Sequence, residues 1–567
     1  MANVCYQVTS KPTFANSSAV MSASRRQALL RPHYLGYVAL ALLLGPTILA
    51  FAALSGFDKQ GLDWGLLKDP YLQGVLWFSL KQAALSALLS VLIALPIARA
   101  LYYVPALPGR RAFLKLCLLC FVLPTLVLLT GLVVLLGHAG WLSPLLGEEW
   151  NLYGLHGILL AHIFLNMPFA VRVLFQQLQT IPDSSWKLAT QLKLSPRRRW
   201  QTIEWPVLQG ALPLLMGFIF LLCFNSFAVV LALGGGPQAT TLEVAIYQAL
   251  KYDFNISEAL TLASLQLIIA GSLFLLMVRL GSVKWLSVDT TQTQNRPRAG
   301  QMARIGHTLL YFVSAGFLLL PLLALLPGLL AVDANTWQNL SILKPLLATL
   351  SLGIGCALIA LVLTYLVLLP SRNARLQTNK HLQWLLEWLA THTLVAPAMV
   401  LSVGLYVFAL IKLPGQVDEL FWSVLFTVLL IVLVIVPFAV QQVRPRLLQF
   451  DDQYSRLCAS LNLSPVQRLK VEWSWWKKAR MSAFSLIAVL AMGDVTAFSI
   501  FGTSDWITMP WLIYSYAGTY RMAEASVIAF LLLLICMAVV WLFERSQVAP
   551  VQNEPTRSPT HRERNNA

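Results

Sequence analysis

Long apolar runs alternate with short polar segments along almost all of this 567-residue chain. A helix needs about 20 apolar residues to cross a bilayer. Windows of that length predict an all-α polytopic membrane protein with about 12 transmembrane helices. The predicted spans are 34–57, 77–103, 113–137, 155–176, 208–233, 259–281, 306–331, 345–369, 388–411, 420–443, 481–502 and 525–543.

Composition supports a membrane location. Hydrophobic residues make up 57% of the chain and charged residues only 11%, whereas a soluble domain carries roughly 25% charged residues. These values exclude a soluble enzyme, a disordered protein and a fibrous protein. The net charge of +17 is therefore interpreted through the positive-inside rule and not as nucleic-acid binding.

The distribution of basic residues predicts the orientation. If the N-terminus is cytoplasmic and the spans alternate, 34 of the 41 Lys and Arg residues fall on the cytoplasmic side. Both termini are therefore predicted to be cytoplasmic. Residues 1–24 lack the apolar core of a signal peptide, and either Met1 or Met21 is the true start. The polar tail is expected to be disordered.

The chain matches itself at a separation of about 268 residues. The first matched pair is a Leu-x-x-x-Leu-x-Leu-Ser-Pro pattern, which runs over 188–196 and 457–465 and continues to Glu-Trp at Glu204 and Glu472. The second pair is Thr241–Tyr247 with Thr508–Tyr514. Two ordered matches at one offset indicate two six-span units in the same orientation. Such units are parallel repeats about an axis normal to the membrane, with a path between them.

The repeat also predicts the domain organisation. The predicted parts are a cytoplasmic N-terminal segment 1–33, a first six-span half 34–281, a cytoplasmic linker 282–304, a second six-span half 305–543 and a cytoplasmic tail 544–567.

The two repeated loops, about 177–207 and about 444–480, are longer than a connection between helices requires. In each, leucines at helical spacing precede a Ser-Pro pair, which ends the helix, and a basic stretch follows. A short helix with an apolar face that occurs twice suits docking to a two-fold cytoplasmic partner. The alternative is an interfacial helix that only anchors to anionic lipid.

Asp494 is the charged residue predicted in the middle of a span. A charged Asp at the bilayer centre costs roughly 2.5–3.5 kcal/mol, so it is expected to face a cavity or a partner. The repeat places Asn225 and Ser226 at the equivalent point of the fifth span. These three residues are candidates for a polar substrate path. The alternative for Asp494 is an interhelical hydrogen bond or ion pair, or a protonated side chain.

No Gly-x-x-x-x-Gly-Lys-Ser/Thr motif occurs in the sequence, so any ATP that drives transport is expected to bind a separate subunit. We assign no catalytic, cofactor-binding or metal-binding residue.

The placement of the repeated loops resembles the "EAA" loop of ABC-importer permeases, which inserts a coupling helix into the ATPase. The sequence departs from that motif: its Glu position holds Lys187 or Arg456, and its Gly position holds Lys193 or Asn462. The segment 222–250 and the segment from Gly493 to Tyr514 resemble the fused two-half permeases of bacterial thiamine ABC transporters.

This resemblance implies a type I ABC importer permease-like fold in the bacterial inner membrane, and import of thiamine and its phosphate esters. It implies two copies of a cytoplasmic ATPase, which bind the ATP, and a periplasmic thiamine-binding protein as partners besides the lipid bilayer. The expected coupling residues are Leu188, Ala189, Leu192, Leu194, Pro196, Glu204, Leu457, Leu461, Leu463, Pro465 and Glu472.

Three alternatives remain at this point. Ferric-iron or other small-solute ABC importers share the fused layout. A major-facilitator secondary transporter also has twelve spans and parallel six-span repeats. A polytopic membrane enzyme would need clustered His, Asp or Glu at one depth, for which the sequence offers only Asp494.

Overall fold

The computed structural model describes residues 34–57, 65, 68–147, 150–280, 300–331, 342–396, 398–413, 415, 419–503 and 505–545. Over these residues the fold is helical, with one isolated bridge between Thr503 and Trp506. The predicted segment 1–33, most of the linker 282–304 and the tail beyond 545 lie outside the described residues. We call 34–280 the first half and 300–545 the second half.

Twelve helices lie in the described residues of the first half. They are α1 (Tyr34–Phe57), α2 (Pro70–Tyr103), α3 (Arg110–Val122), α4 (Thr125–Leu136), α5 (Ser143–Leu146), α6 (Leu155–Gln179), α7 (Asp183–Gln191), α8 (Pro196–Gln209, with a π turn at Trp200–Glu204), α9 (Leu212–Phe224), α10 (Ala228–Leu233), α11 (Leu242–Lys251) and α12 (Ile256–Leu280).

Eleven helices lie in the part of the second half that the structure describes. They are α13 (Gln301–Leu323), α14 (Leu326–Ala331), α15 (Leu343–Leu376), α16 (Lys380–Ala390), α17 (Ala398–Lys412), α18 (Leu420–Ser460), α19 (Pro465–Trp475), α20 (Lys477–Met492), α21 (Thr496–Phe501), α22 (Met509–Gly518) and α23 (Met522–Arg545).

The prediction of an all-helical polytopic membrane protein is confirmed. Among the described residues nine helices are long and apolar enough to span a membrane, or up to eleven if two bent pairs each count as one span. Up to eleven of the about twelve predicted spans are thus accounted for among these residues, and a shorter apolar helix is present besides them. The predicted span 388–411 corresponds to α17, a helix of 15 residues, which is short for a bilayer.

Four predicted spans are broken, and the breaks lie in equivalent spans of the two halves. Span 113–137 bends by 103° between α3 and α4, where Pro124 cannot continue the helix. Span 388–411 breaks at the 3₁₀ turn His392–Leu394. Spans 208–233 and 481–502 break after Phe224 and Met492, at the polar pairs that the sequence singled out.

The first helix of each half packs against the other half. Helix α1 lies on α15 and α17, and α13 lies on α2 and α4. Each crossing has a glycine at its closest point. A Cβ atom on Gly404 would lie 2.6 Å from the carbonyl oxygen of Ala50, and one on Gly131 would collide with the carbonyl oxygen of Pro321. Small residues let helix backbones approach each other closely in membranes.

We expect Gly131→Ala and Gly404→Ala to lower stability by about 1–3 kcal/mol, because the added methyl group overpacks a backbone contact. Gly316→Ala on α13 is the matched control, since no atom lies within 4 Å of the Cβ position there. Thermal unfolding of the detergent-solubilised chain measures the effect. Equal melting temperatures for Gly131→Ala and Gly316→Ala would contradict the close crossing.

Candidate functional site: two elbows and the helix breaks

The two repeated loops have the same backbone. In each, a helix ends in a residue with left-handed conformation, Lys193 (φ 49°) or Asn462 (φ 49°). The next amide then bonds back into the helix: Leu194 N–H donates to the Ala189 carbonyl at 3.0 Å, and Leu463 N–H donates to the Cys458 carbonyl at 3.1 Å. This pattern is typical of a Schellman-type helix end.

A second helix begins immediately after that turn. The side chain of Ser195 accepts a hydrogen bond from Arg198 N–H, and Ser464 does so from Gln467 N–H. A proline follows each serine at the first helical position, where its missing N–H has no cost. We call this helix, turn and helix an elbow: 183–209 is the first elbow and 451–475 the second.

The elbows differ in how they join the preceding span. The first helix of the first elbow, α7, is separated from α6 by Thr180–Pro182. In the second elbow it is the end of the 41-residue α18, which runs without interruption to Ser460. The predicted separate short helix is therefore present in the first loop and continuous with the span in the second.

Each elbow exposes two leucines and buries the residue that follows the first of them. Leu188 and Leu192 are 54% and 61% exposed, and Leu457 and Leu461 are 52% and 61% exposed. Ala189 and Cys458 are buried. The matched exposures give the two elbows the same apolar surface. We call each pair of exposed leucines a knob.

The flanks of the elbows have different chemistry. After its Ser-Pro pair the first elbow presents Arg197 and Arg198, whereas the second presents the exposed Val466 and Leu469. The knobs are therefore equivalent, but their surroundings are basic in one elbow and more apolar in the other.

An arginine joins each elbow to a long helix of its half, α2 in the first half and α15 in the second. In the first half Arg99 Nε donates to Glu204 Oε2 at 2.8 Å, and the Tyr103 hydroxyl donates to Glu204 Oε1 at 2.5 Å. The Arg99 side chain is 30% exposed, whereas Glu204 is buried.

The second elbow has a buried and more elaborate version. Arg372 Nη1 donates to Glu472 Oε1 at 2.5 Å, and its Nε donates to Asp451 Oδ2 at 2.7 Å. All three side chains are at most 2% exposed. Arg372 thus ties α15 to both α18 and α19. Sequence reasoning predicted Glu204 and Glu472 but missed Arg99, which lies in the second predicted span, and Arg372, which follows the eighth predicted span on the same helix.

The candidate path residues lie at the helix breaks. Asn225 follows α9, and its Nδ2 donates to the Leu394 carbonyl in the break of the second half at 3.0 Å. Ser226 adjoins it and is partly buried. Asp494 accepts a hydrogen bond from Ala497 N–H at 3.0 Å and so caps α21. The structure brings Asn225 and Ser226 into one break and Asp494 into the equivalent one, with different partners.

The same breaks bring the halves together. A Cβ atom on Gly493 would lie 2.9 Å from Cα of Pro124, so the break before α21 packs on the break before α4. Beyond the breaks, Ser79 on α2 accepts the N–H of Leu242, the first residue of α11, at 2.9 Å. Thr349 on α15 accepts the N–H of Met509 at 2.9 Å in the same way.

A chain of many apolar helices, broken where two halves meet and carrying two matched elbows, defines a multi-pass membrane transport protein. No protein-family model matches the chain. It is 37% identical over 542 residues to the thiamine transport system permease protein ThiP of Escherichia coli. The matched region covers 92% of this chain and 98% of that protein. The corresponding protein of Haemophilus influenzae is 37% identical over 524 residues, or 89% and 95% of the two chains.

A more distant similarity covers part of the chain. The sulfate transport system permease protein CysW of Synechococcus elongatus is 29% identical over 188 residues, which are 31% of this chain. The full-length similarities show that the chain belongs to the family of thiamine transport system permease proteins, which are ABC transporter permeases. It is accordingly a transport component and not an enzyme.

We expect Arg372→Met to destabilise the protein by about 3–5 kcal/mol, because it leaves two buried carboxylates without their guanidinium. Arg99→Met should cost less, because its ion pair is partly exposed to solvent and Tyr103 still donates to Glu204. Thermal unfolding in detergent distinguishes the two variants.

The triple variant Arg372→Met, Asp451→Asn, Glu472→Gln is the control for that experiment. It removes the buried charges together and should recover part of the lost stability. A triple variant that is no more stable than Arg372→Met would contradict the assignment of the loss to uncompensated charge.

Proposed function

We propose that this chain is the membrane permease of an ATP-driven importer that moves thiamine and its phosphate esters from periplasm to cytoplasm. The observation that carries this proposal is similarity to thiamine permeases over about nine-tenths of the chain. The chain is proposed to comprise two permease units, 34–281 and 305–543. The recurrence of the elbows, arginine pairs, helix breaks and caps in both halves supports that division.

The proposed partners follow from the elbows and from the missing nucleotide motif. Two copies of a cytoplasmic ATPase would bind the ATP and each receive one elbow, with Leu188 and Leu192 or Leu457 and Leu461 in its groove. A periplasmic thiamine-binding protein would deliver the substrate at the opposite end. The concentration of Lys and Arg on the side of the elbows supports a cytoplasmic location for them and for both termini in the bacterial inner membrane.

A continuous set of contacts suits each half for transmitting movement of its elbow. In the first half Glu204 of the elbow binds Arg99 on α2, and Ser79 on the same helix caps α11. Twenty residues of α helix separate Ser79 from Arg99, a distance of about 30 Å. In the second half Glu472, Arg372, α15 and Thr349 provide the same connection to α22.

The proposed mechanism uses these connections. Closure of the ATPase dimer on ATP would move the two elbows toward each other. Helices α2 and α15 would carry that movement to α11 and α22, so that the halves switch between inward-facing and outward-facing states. Substrate would then pass between the halves, along the breaks that contain Asn225, Ser226 and Asp494.

Uptake of labelled thiamine at nanomolar concentration tests the proposed function. The chain is expressed in cells without their own thiamine transporter, with and without its ATPase and binding protein. We expect uptake only when all three are present. Transport by the chain alone that an uncoupler abolishes would indicate a secondary transporter. If a complete and correctly inserted assembly takes up no thiamine, the substrate belongs to another class, and ferric iron is tested next.

We expect Leu188→Asp and Leu457→Asp to uncouple ATP hydrolysis from uptake, because a charge on the knob opposes burial in an apolar groove. Uptake should fall by about tenfold or more for each variant while the membrane level of the chain stays unchanged. Leu145→Asp is the control, since Leu145 is 81% exposed and lies outside both elbows. Normal coupling in both elbow variants would contradict docking through these leucines.

A further inference from the structure

A buried polar cluster lies at the boundary between the halves. Neither the elbows nor the helix caps explain why it is there. It consists of Asn225, Glu243 and Gln266. Gln266 Nε2 donates to Asn225 Oδ1 at 2.9 Å and to Glu243 Oε1 at 3.1 Å. Glu243 and Gln266 are fully buried. Glu243 stands in the repeated segment after the fifth span, but the sequence alone gave no reason to single it out.

The cluster joins the first half to the broken span of the second half. Asn225 donates to the Leu394 carbonyl, and the backbone amides of Ala398 and Met399 lie close to the Glu243 carboxylate. Those amides belong to the first turn of α17, whose N–H groups have no partner within the helix. The positive end of the α17 dipole therefore faces the Glu243 carboxylate from the other half of the protein.

The cluster contains more acceptors than donors. Glu243 Oε2 and Gln266 Oε1 are buried and accept no regular hydrogen bond from the residues that the structure describes. Both N–H groups of the Gln266 amide are already directed at Glu243 and Asn225. A buried acceptor without a donor is costly, so the site is suited to a cation or to a ligand that donates hydrogen bonds.

Among the residues that the structure describes, the cluster occurs in the first half and not in the second. In the repeat, Thr241-Leu242-Glu243 corresponds to Thr508-Met509-Pro510, so the second half has proline in place of the carboxylate. At the equivalent boundary Gly493 packs on Pro124 without polar contacts of this kind. A purely architectural role at a repeated crossing would be expected in both halves. A single carboxylate instead suits a single asymmetric ligand that passes between them.

We propose that Glu243 is a cation-recognising residue of the transport path. In the state shown, Gln266 donates to one oxygen of its carboxylate and the α17 amides face it. When the halves part, α17 moves away, and the carboxylate becomes available to a substrate that carries one fixed positive charge and hydrogen-bond donors. This inference rests on the proposed function, since thiamine has a cationic thiazolium ring and an aminopyrimidine.

The first test compares a charged and a neutral substrate. Proteoliposomes containing the full importer and its binding protein take up either thiamine or its neutral 3-deaza analogue, each preloaded on the binding protein. Wild type should move the cation faster. E243Q, which keeps size and shape but lacks the charge, should slow the cation about tenfold and move both substrates at similar rates. E258Q, at a carboxylate outside the cluster, should keep the wild-type preference.

The ratio of the two rates separates recognition from structure. A merely structural cap on α17 would slow both substrates equally in E243Q and leave the preference for the cation intact, which would overturn the proposal. The rate of ATP hydrolysis with loaded binding protein, measured in the same vesicles, verifies that E243Q is assembled.

A second test does not depend on the identity of the substrate. E243C is prepared in a chain whose native cysteines are replaced, and is treated with cationic and anionic methanethiosulfonate reagents of equal size, with and without trapping by vanadate. Because E243C itself removes the carboxylate, we expect no preference between the cationic and anionic reagents. We expect the access of both reagents to the introduced thiol to change: the thiol should be protected in the resting state and labelled after trapping. Protection in both states would overturn the inference. Wild-type vesicles that fail to move thiamine would instead overturn the proposed function.

Discussion

Inside a bilayer every interruption of a helix exposes backbone groups that water cannot reach, and they need partners from the protein. This chain interrupts four of its apolar segments and satisfies the exposed groups largely with side chains from other helices. Ser79 and Thr349 accept the first amides of α11 and α22, and Asn225 donates to the carbonyl of Leu394. The last of these contacts crosses between the halves, so the break at His392–Leu394 is stabilised by the first half.

The same requirement accounts for the exchange of the first helices. Helix α1 reaches the break of the second half, where Thr47 Oγ1 lies 3.0 Å from His392 Nε2. Helix α13 crosses α4 so closely that only glycine fits at position 131. Each half is thus held from outside by a helix of the other and from inside by polar side chains at the breaks. The elbows join this framework through the arginine pairs, through the hydrogen bond that Trp186 Nε1 donates to the Tyr102 hydroxyl in the first elbow, and through the uninterrupted α18 in the second.

Much of this architecture could be predicted from the sequence, because apolar run length and the repeat at 188–196 and 457–465 depend on local pattern alone. The elbows followed from a Ser-Pro pair after spaced leucines. The breaks were missed because apolar runs continue across them, although Pro124, Asn225 and Asp494 mark three of them in the sequence. Arg99, Arg372 and Glu243 were missed because a charged residue near a span end has no visible partner until the chain is folded. Lys193 and Asn462 occupy a turn that demands a left-handed residue, and the departure from glycine there hid the motif.

Fusion of two halves into one chain allows each copy to diverge. A symmetric pair of separate subunits would carry the same elbow, the same arginine pair and the same cluster twice. Here the framework is kept in both halves: the left-handed turn, the serine cap, the exposed leucines and the arginine–glutamate bond all recur. The halves differ in chemistry: the Arg372 site adds Asp451, the first elbow adds arginines, and Glu243 corresponds to Pro510 in the repeat. A shared framework with different chemistry in its two halves suits the proposed function, in which a two-fold ATPase would move one asymmetric substrate along their boundary.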